Sequence, residues 1–331
     1  MPQNRIRLSV AEARGLGERA LVGIGYDGGE AEILADHMID AALCGYEYSG
    51  LAKILNIPEN RRFRQQRSEM RIVHETEVST LYDGGNNVGM LTMYHATRAA
   101  IAKAEPRGFA LVGVSNSWMS GRSAYYCEMI AKAGLVGIHT AASHPSVAPP
   151  GGAKAALGTN PIAFGLPSAK GPVVFDMGTS AFMMTEVSLR ARLGEPLPEG
   201  VGIDAAWRPT RDAALVRDGG ALLPFAGYKG FGLGLMVQAL GLLGGLGLDP
   251  EGDDGYLFIV FKPDLLVPRA EFEQQVAALI DRVKATPRQP GVDEIRIPGA
   301  RGFDTRERLL RDGLEIDRLV YDALGEWAAQ A

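Results

Sequence analysis

Histidine is the side chain best suited to move protons near neutral pH, and the 331-residue chain has five, at positions 37, 74, 95, 139 and 144. They form no HExxH pair and no cluster with metal-ligand spacing, so we predict no metal site. Lys229 and Gly230 lie in a glycine-rich stretch, where amides at a helix start beside a lysine favour an anionic ligand. The alternative is that these glycines only allow tight turns and close helix packing.

Three common catalytic signatures are missing. No GxGxxG follows a predicted strand, and neither GxxxxGK[ST] nor GxSxG occurs. Their absence argues against a Rossmann dinucleotide site, a P-loop and the simplest serine hydrolase. Residue chemistry alone therefore leads only as far as a soluble α/β enzyme with glycine-rich loops.

Composition narrows the class of protein. The chain is 46% hydrophobic and 22% charged, with a net charge of -5, as expected for a globular protein without a broad nucleic-acid face. The arginines between Arg61 and Arg67 are the main basic cluster, and we expect them to lie on a solvated surface. Cys44 and Cys127 form neither a disulfide framework nor a zinc motif. With no apolar signal segment at the start, these features predict a cytoplasmic protein.

One uncharged stretch, Phe231 to Leu248, is just long enough to cross a bilayer. It contains several glycines and Gln238 and is followed at once by Asp249 and Pro250. We therefore predict a closely packed core helix and no membrane partner.

Apolar spacing predicts the elements that must position the candidate residues. Ser9 and Glu12 form a capping box before a helix, and Asp304 and Asp317 are candidate caps near the end of the chain. Predicted helices lie near 10–24, 33–43, 90–104, 123–133, 185–193, 270–285 and at the C-terminus, and two more begin near Gly50 and at Lys229. Predicted strands lie near 71–82, 109–114, 135–140, 162–166, 173–176, 256–261 and 294–297, with a turn at 83–87.

This order predicts an α/β (α+β) fold with a mixed sheet. We expect residues 1–70 to form a mainly helical domain, joined by part of 225–270. A sheet domain should comprise 71–225 and 255–300, and the helices of 301–331 should pack back. Residues 194–222, rich in proline and mixed charge, are predicted to be a surface excursion.

Four segments carry a family resemblance: Pro145–Gly152, Leu157–Pro161, Asp176–Ser180 and Pro224–Gly232. Together they resemble the type-2 malate/L-lactate dehydrogenase family of NAD(P)-dependent oxidoreductases. The resemblance extends in order from Ala42 to Pro298 and Gly299. It implies a non-Rossmann sheet domain that binds NAD(P)H, a mostly helical second domain, and a homodimer with its sites near the subunit contact. The missing GxGxxG agrees with this implication.

The resemblance also implies which residues contact the nicotinamide cofactor. They are Ser143, Asp176, Met177, Gly178, Thr179, Ser180, Lys229, Gly230, Pro298, Gly299 and Arg301.

The chain departs from the family where imidazoles are expected. The histidine of the family's Ser-His-Gly corresponds to Ser49, after Tyr48, and a substrate-binding arginine corresponds to Lys53. A second family histidine corresponds to Met119, and the histidine of Gly-His-Lys-Gly corresponds to Tyr228.

Reduction of a C=O bond needs a proton donor, which typically contributes about 10²–10⁴-fold. Serine is too weak an acid for this role, whereas Tyr48 or Tyr228 can donate a hydrogen bond. His144, next to Ser143, is the imidazole left in a matching loop. It either takes over the proton transfer or only caps a backbone carbonyl.

A protonated C=N bond accepts hydride without an acid, so an imine or imino acid suits this chain. Tyr46, Tyr48, Trp118 and Met119 are candidates for a pocket that binds such a cation through its aromatic rings, the alternative being ordinary core packing. The favoured prediction is an NAD(P)H-dependent imine reductase. The alternatives are a 2-hydroxy/2-oxo acid dehydrogenase, with His144 or a tyrosine as acid and Lys53 on the carboxylate, and a binding or assembly protein without redox activity.

Overall fold

The computed structural model describes residues 4–245, 247 and 254–331. The helices are α1 (Val10–Ile24), α2 (Gly28–Leu43), α3 (Asn56–Glu59), α4 (Gly89–Arg107), α5 (Ser123–Lys132), α6 (Met184–Leu193), α7 (Ala213–Arg217), α8 (Tyr228–Leu243), α9 (Arg269–Lys284), α10 (Ala300–Asp312) and α11 (Arg318–Ala328). The strands are β1 (Arg5–Leu8), β2 (Arg71–Glu75), β3 (Ser79–Val88), β4 (Phe109–Trp118), β5 (Val136–Ala142), β6 (Ile162–Leu166), β7 (Val173–Met177), β8 (Gly202–Ile203), β9 (Pro209–Thr210), β10 (Ala221–Leu222), β11 (Gly255–Phe261) and β12 (Leu314–Asp317). Short 3₁₀ helices occupy Glu47–Ser49, Leu51–Leu55, Arg61–Arg64 and Pro263–Leu265.

Seven strands form the central sheet, in the order β2-β3-β4-β11-β5-β6-β7. β3 and β4 run parallel, and the other neighbouring pairs run antiparallel. Tyr256 and Phe258 of β11 are fully buried, because β11 lies between β4 and β5 and is covered by α4 and α8. The mixed sheet confirms the predicted fold class and differs from the parallel sheet of a Rossmann fold.

The helical region is built around α1 and α2. Ser9 and Glu12 form the predicted capping box, and α1 buries Leu16 and Leu21. α1 packs on α2 and α11, and α10 packs on α2. β1 pairs with β12, a two-stranded sheet that the sequence patterns did not predict. The domain boundaries themselves stay a prediction.

Three local predictions were wrong. Residues 83–87, which were predicted to be a turn, lie inside β3. Gly85 and Asn86 take positive φ angles there, and the strand continues through them with a shift in its pairing to β4. Residues 294–297 are not a strand, since no neighbouring strand pairs with them. Asp304 does not cap a helix. α10 begins after Gly299, whose φ of 82° suits glycine, so Asp304 lies inside the helix.

Residues 194–222 contain α7 and a three-stranded sheet in the order β10-β8-β9. α6 packs on α7, and the two share a small apolar core with Val187, Leu197 and Val216. This excursion is therefore a folded unit with its own core, and it holds the start of α6 in place.

α8 ends at Leu243, within the uncharged stretch that the sequence analysis considered. Its glycines allow close packing: a Cβ at Gly234 would lie 2.8 Å from the Thr179 hydroxyl. Among the described residues, no helix is long and apolar enough to cross a membrane. Residues 246 and 248 of that stretch lie outside the described residues.

Candidate active site

Two adjoining cavities lie where the helical region, the start of α5 and the start of α6 meet. The larger has a volume of about 530 Å³ and the smaller about 110 Å³. Both are lined by Lys53, Gly121, Pro161, Met183 and Thr185. Because the cavities share these residues, we treat them as one site.

Most of the predicted site residues line these cavities. Those at the larger cavity are Lys53, Trp118, Met119, Ser143 and His144. Those at the smaller cavity are Tyr46, Tyr48, Ser49, Lys53, Asp176, Met177 and Gly178. Segments far apart in the chain thus meet at one place.

Lys53 is a buried cation shared by both cavities. Its side chain is 4% exposed, and its Nζ lies 3.4 Å from the Thr185 hydroxyl. Burial lowers the pKa of Lys53 to about 8. Among the described residues no carboxylate forms an ion pair with it, so a ligand carboxylate would supply the opposite charge.

With this pKa, the affinity of Lys53 for a carboxylate would depend on pH. Below about pH 8 Lys53 is protonated and attracts a carboxylate, and above it the charge is lost. We expect kcat/KM for a carboxylate substrate to fall as pH rises through about 8, since kcat/KM reports ionisations of the free enzyme. Initial rates from pH 6 to 10 at saturating cofactor measure this. In Lys53→Arg the fall in kcat/KM should occur at higher pH. If it occurs at the same pH as in the wild type, another group is responsible for it.

Asp176 lies at the amino end of α5. Its Oδ2 accepts a hydrogen bond of 2.8 Å from the Ala124 amide. Burial raises the pKa of Asp176, although this amide and the nearby Arg122 guanidinium oppose the rise. A carboxylate here interacts favourably with the positive end of α5.

The two tyrosines form one wall of the smaller cavity. The Tyr46 and Tyr48 rings meet edge to face, with 6.1 Å between centroids. The guanidinium of Arg122 lies 5.5 Å from the centre of the Tyr46 ring. Burial, and secondly the charge of Glu186, raise the pKa of Tyr48, so its phenol stays protonated at neutral pH.

Trp118 and Met119 lie in the larger cavity, so the four residues expected to form one cation pocket are divided between two. The Trp118 Nε1 donates a 3.1 Å hydrogen bond to the Asn86 carbonyl, which leaves an apolar ring. Met119 has a φ of 60°, unusual for a residue with a side chain and a common sign of a functional constraint.

His144 is the imidazole that lines the larger cavity. Its Nδ1 lies 3.8 Å from Asp254 Oδ1, and its backbone amide donates to the same oxygen at 3.2 Å. The Tyr256 hydroxyl donates to the other Asp254 oxygen at 2.9 Å. Burial raises the pKa of Asp254, while His144 opposes the rise. This arrangement can orient an imidazole for proton transfer.

The predicted cofactor loops are joined around Asn160. Its Nδ2 donates to the Gly234 carbonyl at 2.9 Å and to Gln238 Oε1 at 2.7 Å, while its Oδ1 accepts from the Ser143 amide at 3.3 Å. The Phe225 amide donates to the Thr179 carbonyl at 2.9 Å. The loops after β5 and β7 are therefore fixed against the amino-terminal half of α8.

Other predicted residues lie outside the two cavities. Thr179 and Ser180 are buried beside the start of α8, whereas Tyr228 is 75% exposed and Lys229 is also exposed. A Cβ at Gly227 would meet no atom within 4 Å, so the amino end of α8 faces open space, although the Gly230 amide already donates to the Phe225 carbonyl at 2.9 Å. The remaining predicted residues, Gly230, Pro298, Gly299 and Arg301, also line neither cavity.

Several lining residues were missed by the sequence analysis. Arg122, Met183 and Thr185 follow matched segments within a few residues, and this proximity was the available signal. Asp254 directly precedes β11 and Tyr256 lies within it, and only the sheet topology brings them beside His144.

Comparison with known proteins agrees with this geometry. The profile of the malate/L-lactate dehydrogenase family matches residues 8–325. The malate dehydrogenase of Pyrococcus abyssi is 32% identical, over 98% of this chain and 95% of that protein. A Delta(1)-pyrroline-2-carboxylate/Delta(1)-piperideine-2-carboxylate reductase of Pseudomonas putida is 36% identical over 70% of each. The crystal structure of a dehydrogenase from Sinorhizobium meliloti superposes with a TM-score of 0.90 at 28% identity, covering 98% of this chain and 99% of the other.

The profile match covers nearly the whole chain, and the relatives share both its sequence and its sheet. On these grounds the chain belongs to the malate/L-lactate dehydrogenase family and is an NAD(P)-dependent oxidoreductase.

Proposed function

We propose that this enzyme reduces the C=N bond of a small imino acid with NADH or NADPH, and that Lys53 binds the substrate carboxylate. The observation that carries the proposal is the buried Lys53 ammonium at the junction of the two cavities, without an acidic partner among the described residues. The 36% identity with an imino acid reductase of Pseudomonas putida supports the substrate class.

The side chains at the family's histidine positions support a C=N substrate. A cyclic imine is protonated in water near neutral pH, so its carbon accepts hydride while the π electron pair of the C=N bond moves to nitrogen. The product is a neutral amine, and no protein acid is needed. Ser49 and Met119, which occupy two of these positions, are poor acids. The protonated Tyr48 phenol can orient the substrate by a hydrogen bond.

The chain's own residues fit a nicotinamide cofactor. The exposed Lys229 ammonium at the amino end of α8 suits a pyrophosphate, and hydrogen bonds join this end of α8 to Thr179 and, through Asn160, to Ser143. When bound, the cofactor supplies the hydride. Met177, Gly178, Thr179 and Gly230 would shape its site, and Pro298, Gly299 and Arg301 would complete it from the start of α10.

A second candidate is reduction of a 2-oxo acid, because His144 lies in the larger cavity beside Asp254. In this reaction His144 would protonate the developing alkoxide, and Asp254 would hold the imidazole in place. The malate dehydrogenase relatives favour this candidate.

Substrate comparison with a His144 variant separates the two candidates. We expect the wild-type enzyme to oxidise NADH or NADPH faster with Δ1-piperideine-2-carboxylate than with pyruvate. His144→Gln should lower kcat/KM for the oxo acid by about 10²–10⁴-fold and for the imine by a smaller factor, because only the oxo acid needs a proton in the transition state. Cofactor absorbance during initial-rate assays measures both.

The opposite substrate ranking, with a loss of about 10²–10⁴-fold for the oxo acid in His144→Gln, would support the 2-oxo acid reaction. A protein that binds neither reduced dinucleotide, as judged by calorimetry, would instead be a binding or assembly protein.

We further propose that the enzyme is a homodimer. α8 exposes Leu235, Met236, Leu242 and Leu243, and Phe225 and Tyr228 extend this apolar surface at its amino end. A contiguous exposed apolar surface on a helix is typical of a subunit contact. A single species of monomer mass in sedimentation equilibrium would contradict the dimer.

A further inference from the structure

Four side chains form an apolar wall in the larger cavity: Trp118, Met119, Met183 and Met184. Thioether sulfurs are weak hydrogen-bond acceptors, and the one N–H of the Trp118 ring is already donated to the Asn86 carbonyl. A Cβ at Gly178 would lie 2.6 Å from the Met183 sulfur, so Met183 rests against the loop after β7. The wall therefore offers shape and apolar surface to a ligand rather than hydrogen bonds.

Three acidic residues also line the two cavities. Glu59 and Asp254 line the larger cavity, and Asp176 lines the smaller one. Of the other cations that line the larger cavity, Arg62 already donates to the Asn86 and Asn116 side chains, and Arg61 is exposed to solvent. A ligand that places one carboxylate at Lys53 and a second one against the apolar wall would bury the second charge without a partner, which is unfavourable.

Resting on the proposed function, we propose that the substrates are monocarboxylates whose remaining carbon framework is uncharged and apolar, and that Met119, Met183, Met184 and Trp118 exclude dicarboxylates. Lys53 binds the one carboxylate, and the wall receives the ring or alkyl chain. Methionine side chains adapt to different shapes, so rings and branched chains of similar size are both accepted.

The test compares substrates that differ by one carboxylate. One pair is Δ1-piperideine-2-carboxylate and its 2,6-dicarboxylate, and the other is 2-oxopentanoate and oxaloacetate. We expect kcat/KM to favour the monocarboxylate by about 100-fold or more in whichever pair is reduced, because the second charge would be buried without a partner. A ratio near one, or a preference for the dicarboxylate, would overturn the proposal.

A binding measurement tests whether the site excludes dicarboxylates even if no substrate is reduced. Calorimetry with cyclohexanecarboxylate and cyclohexane-1,3-dicarboxylate needs no turnover. We expect binding of the first only. Failure of the proposed function would appear as no turnover of either imine, whereas failure of this inference would appear as equal binding of the two acids.

A charge placed in the wall tests its position. Met183→Lys should raise kcat/KM, or affinity, for the dicarboxylate relative to the monocarboxylate by about 10-fold. Met129→Lys, on α5 and outside both cavities, is the matched control and should leave the ratio as in the wild type. If both variants gave the wild-type ratio, Met183 would not contact the substrate. If Met183→Lys does not fold, the proposal is tested by the wild-type ratios of kcat/KM for monocarboxylate and dicarboxylate and by the calorimetry.

Discussion

Lys53→Met is expected to lower kcat/KM for a carboxylate substrate by about 100- to 1000-fold, because the substrate charge would lose its buried partner. The same change should make the protein more stable. Burial lowers the pKa of Lys53 from 10.5 to about 8, so keeping the ammonium charged in the free enzyme at pH 7 costs about 3 kcal/mol. Steady-state kinetics and urea unfolding at pH 7 measure the two effects.

The sign of the stability change follows from proton binding. Between about pH 8 and 10.5 the unfolded chain holds a proton that the folded chain has released, so this group makes the wild type more stable as pH rises. The stability that Lys53→Met gains over the wild type should therefore become smaller as pH rises from about 8 to 10.5. Lys170→Met, at an exposed lysine that pairs with Asp281, should change neither property. A loss of stability in Lys53→Met would contradict the role of a strained, ligand-binding cation.

Arg306→Met is expected to lower the free energy of unfolding by about 3–5 kcal/mol. Arg306 is mostly buried, donates to both oxygens of Glu128 at 2.7 and 2.6 Å, and lies 2.8 Å from Asp40. Asp40 also pairs with Arg122 at 3.3 Å, which connects α10 through α2 to the wall of the smaller cavity. Removing Arg306 leaves two buried carboxylates with too little positive charge.

The stability deficit of Arg306→Met should be larger at pH 7 than at pH 3. Burial alone would raise the pKa of Glu128, but Arg306 and Lys132 outweigh it and hold that pKa below its ordinary value of 4.5. The stabilisation from Glu128 is therefore present above about pH 4.5 and is lost from the wild type as pH falls below it, so the two proteins converge in acid. Arg308→Met is the control on the same helix. Its pair with Asp312 is exposed and 4.0 Å long, so it should cost less than about 1 kcal/mol. Equal losses in both variants would contradict the buried network.

Local patterns were enough to predict the elements that carry the site. The predicted limits of α1 and β6 agree with the structure, because a capping box, apolar periodicity and flanking prolines or glycines are properties of short segments. The pairing of β1 with β12 joins the two ends of the chain, and no short segment contains that information. The predicted strand at 294–297 has alternating apolar residues but is not a strand in the structure. Its local pattern alone therefore did not determine whether a neighbouring strand pairs with it.

The residues of the candidate site also fall into two groups, those that the sequence predicts and those that only the structure brings together. Family motifs led to Lys53, Ser49 and Asp176, and the structure brings these three to one small cavity. Asp254 could not be found from the sequence, because its proximity to His144 depends on the insertion of β11 beside β5. The motif Leu157–Pro161 was identified by family resemblance alone. Its physical role is that the Asn160 side chain within it donates hydrogen bonds to the Gly234 carbonyl and to Gln238.

The place of β11 in the sheet has a consequence for biosynthesis. β4 and β5 leave the ribosome long before Gly255–Phe261, yet β11 is the strand that fills the space between them. Until then the nascent polypeptide presents two open strand edges, which invite intermolecular pairing and aggregation. Completion of the sheet is therefore delayed until β11 has been synthesised, and shorter translation products should depend on chaperones to stay dispersed.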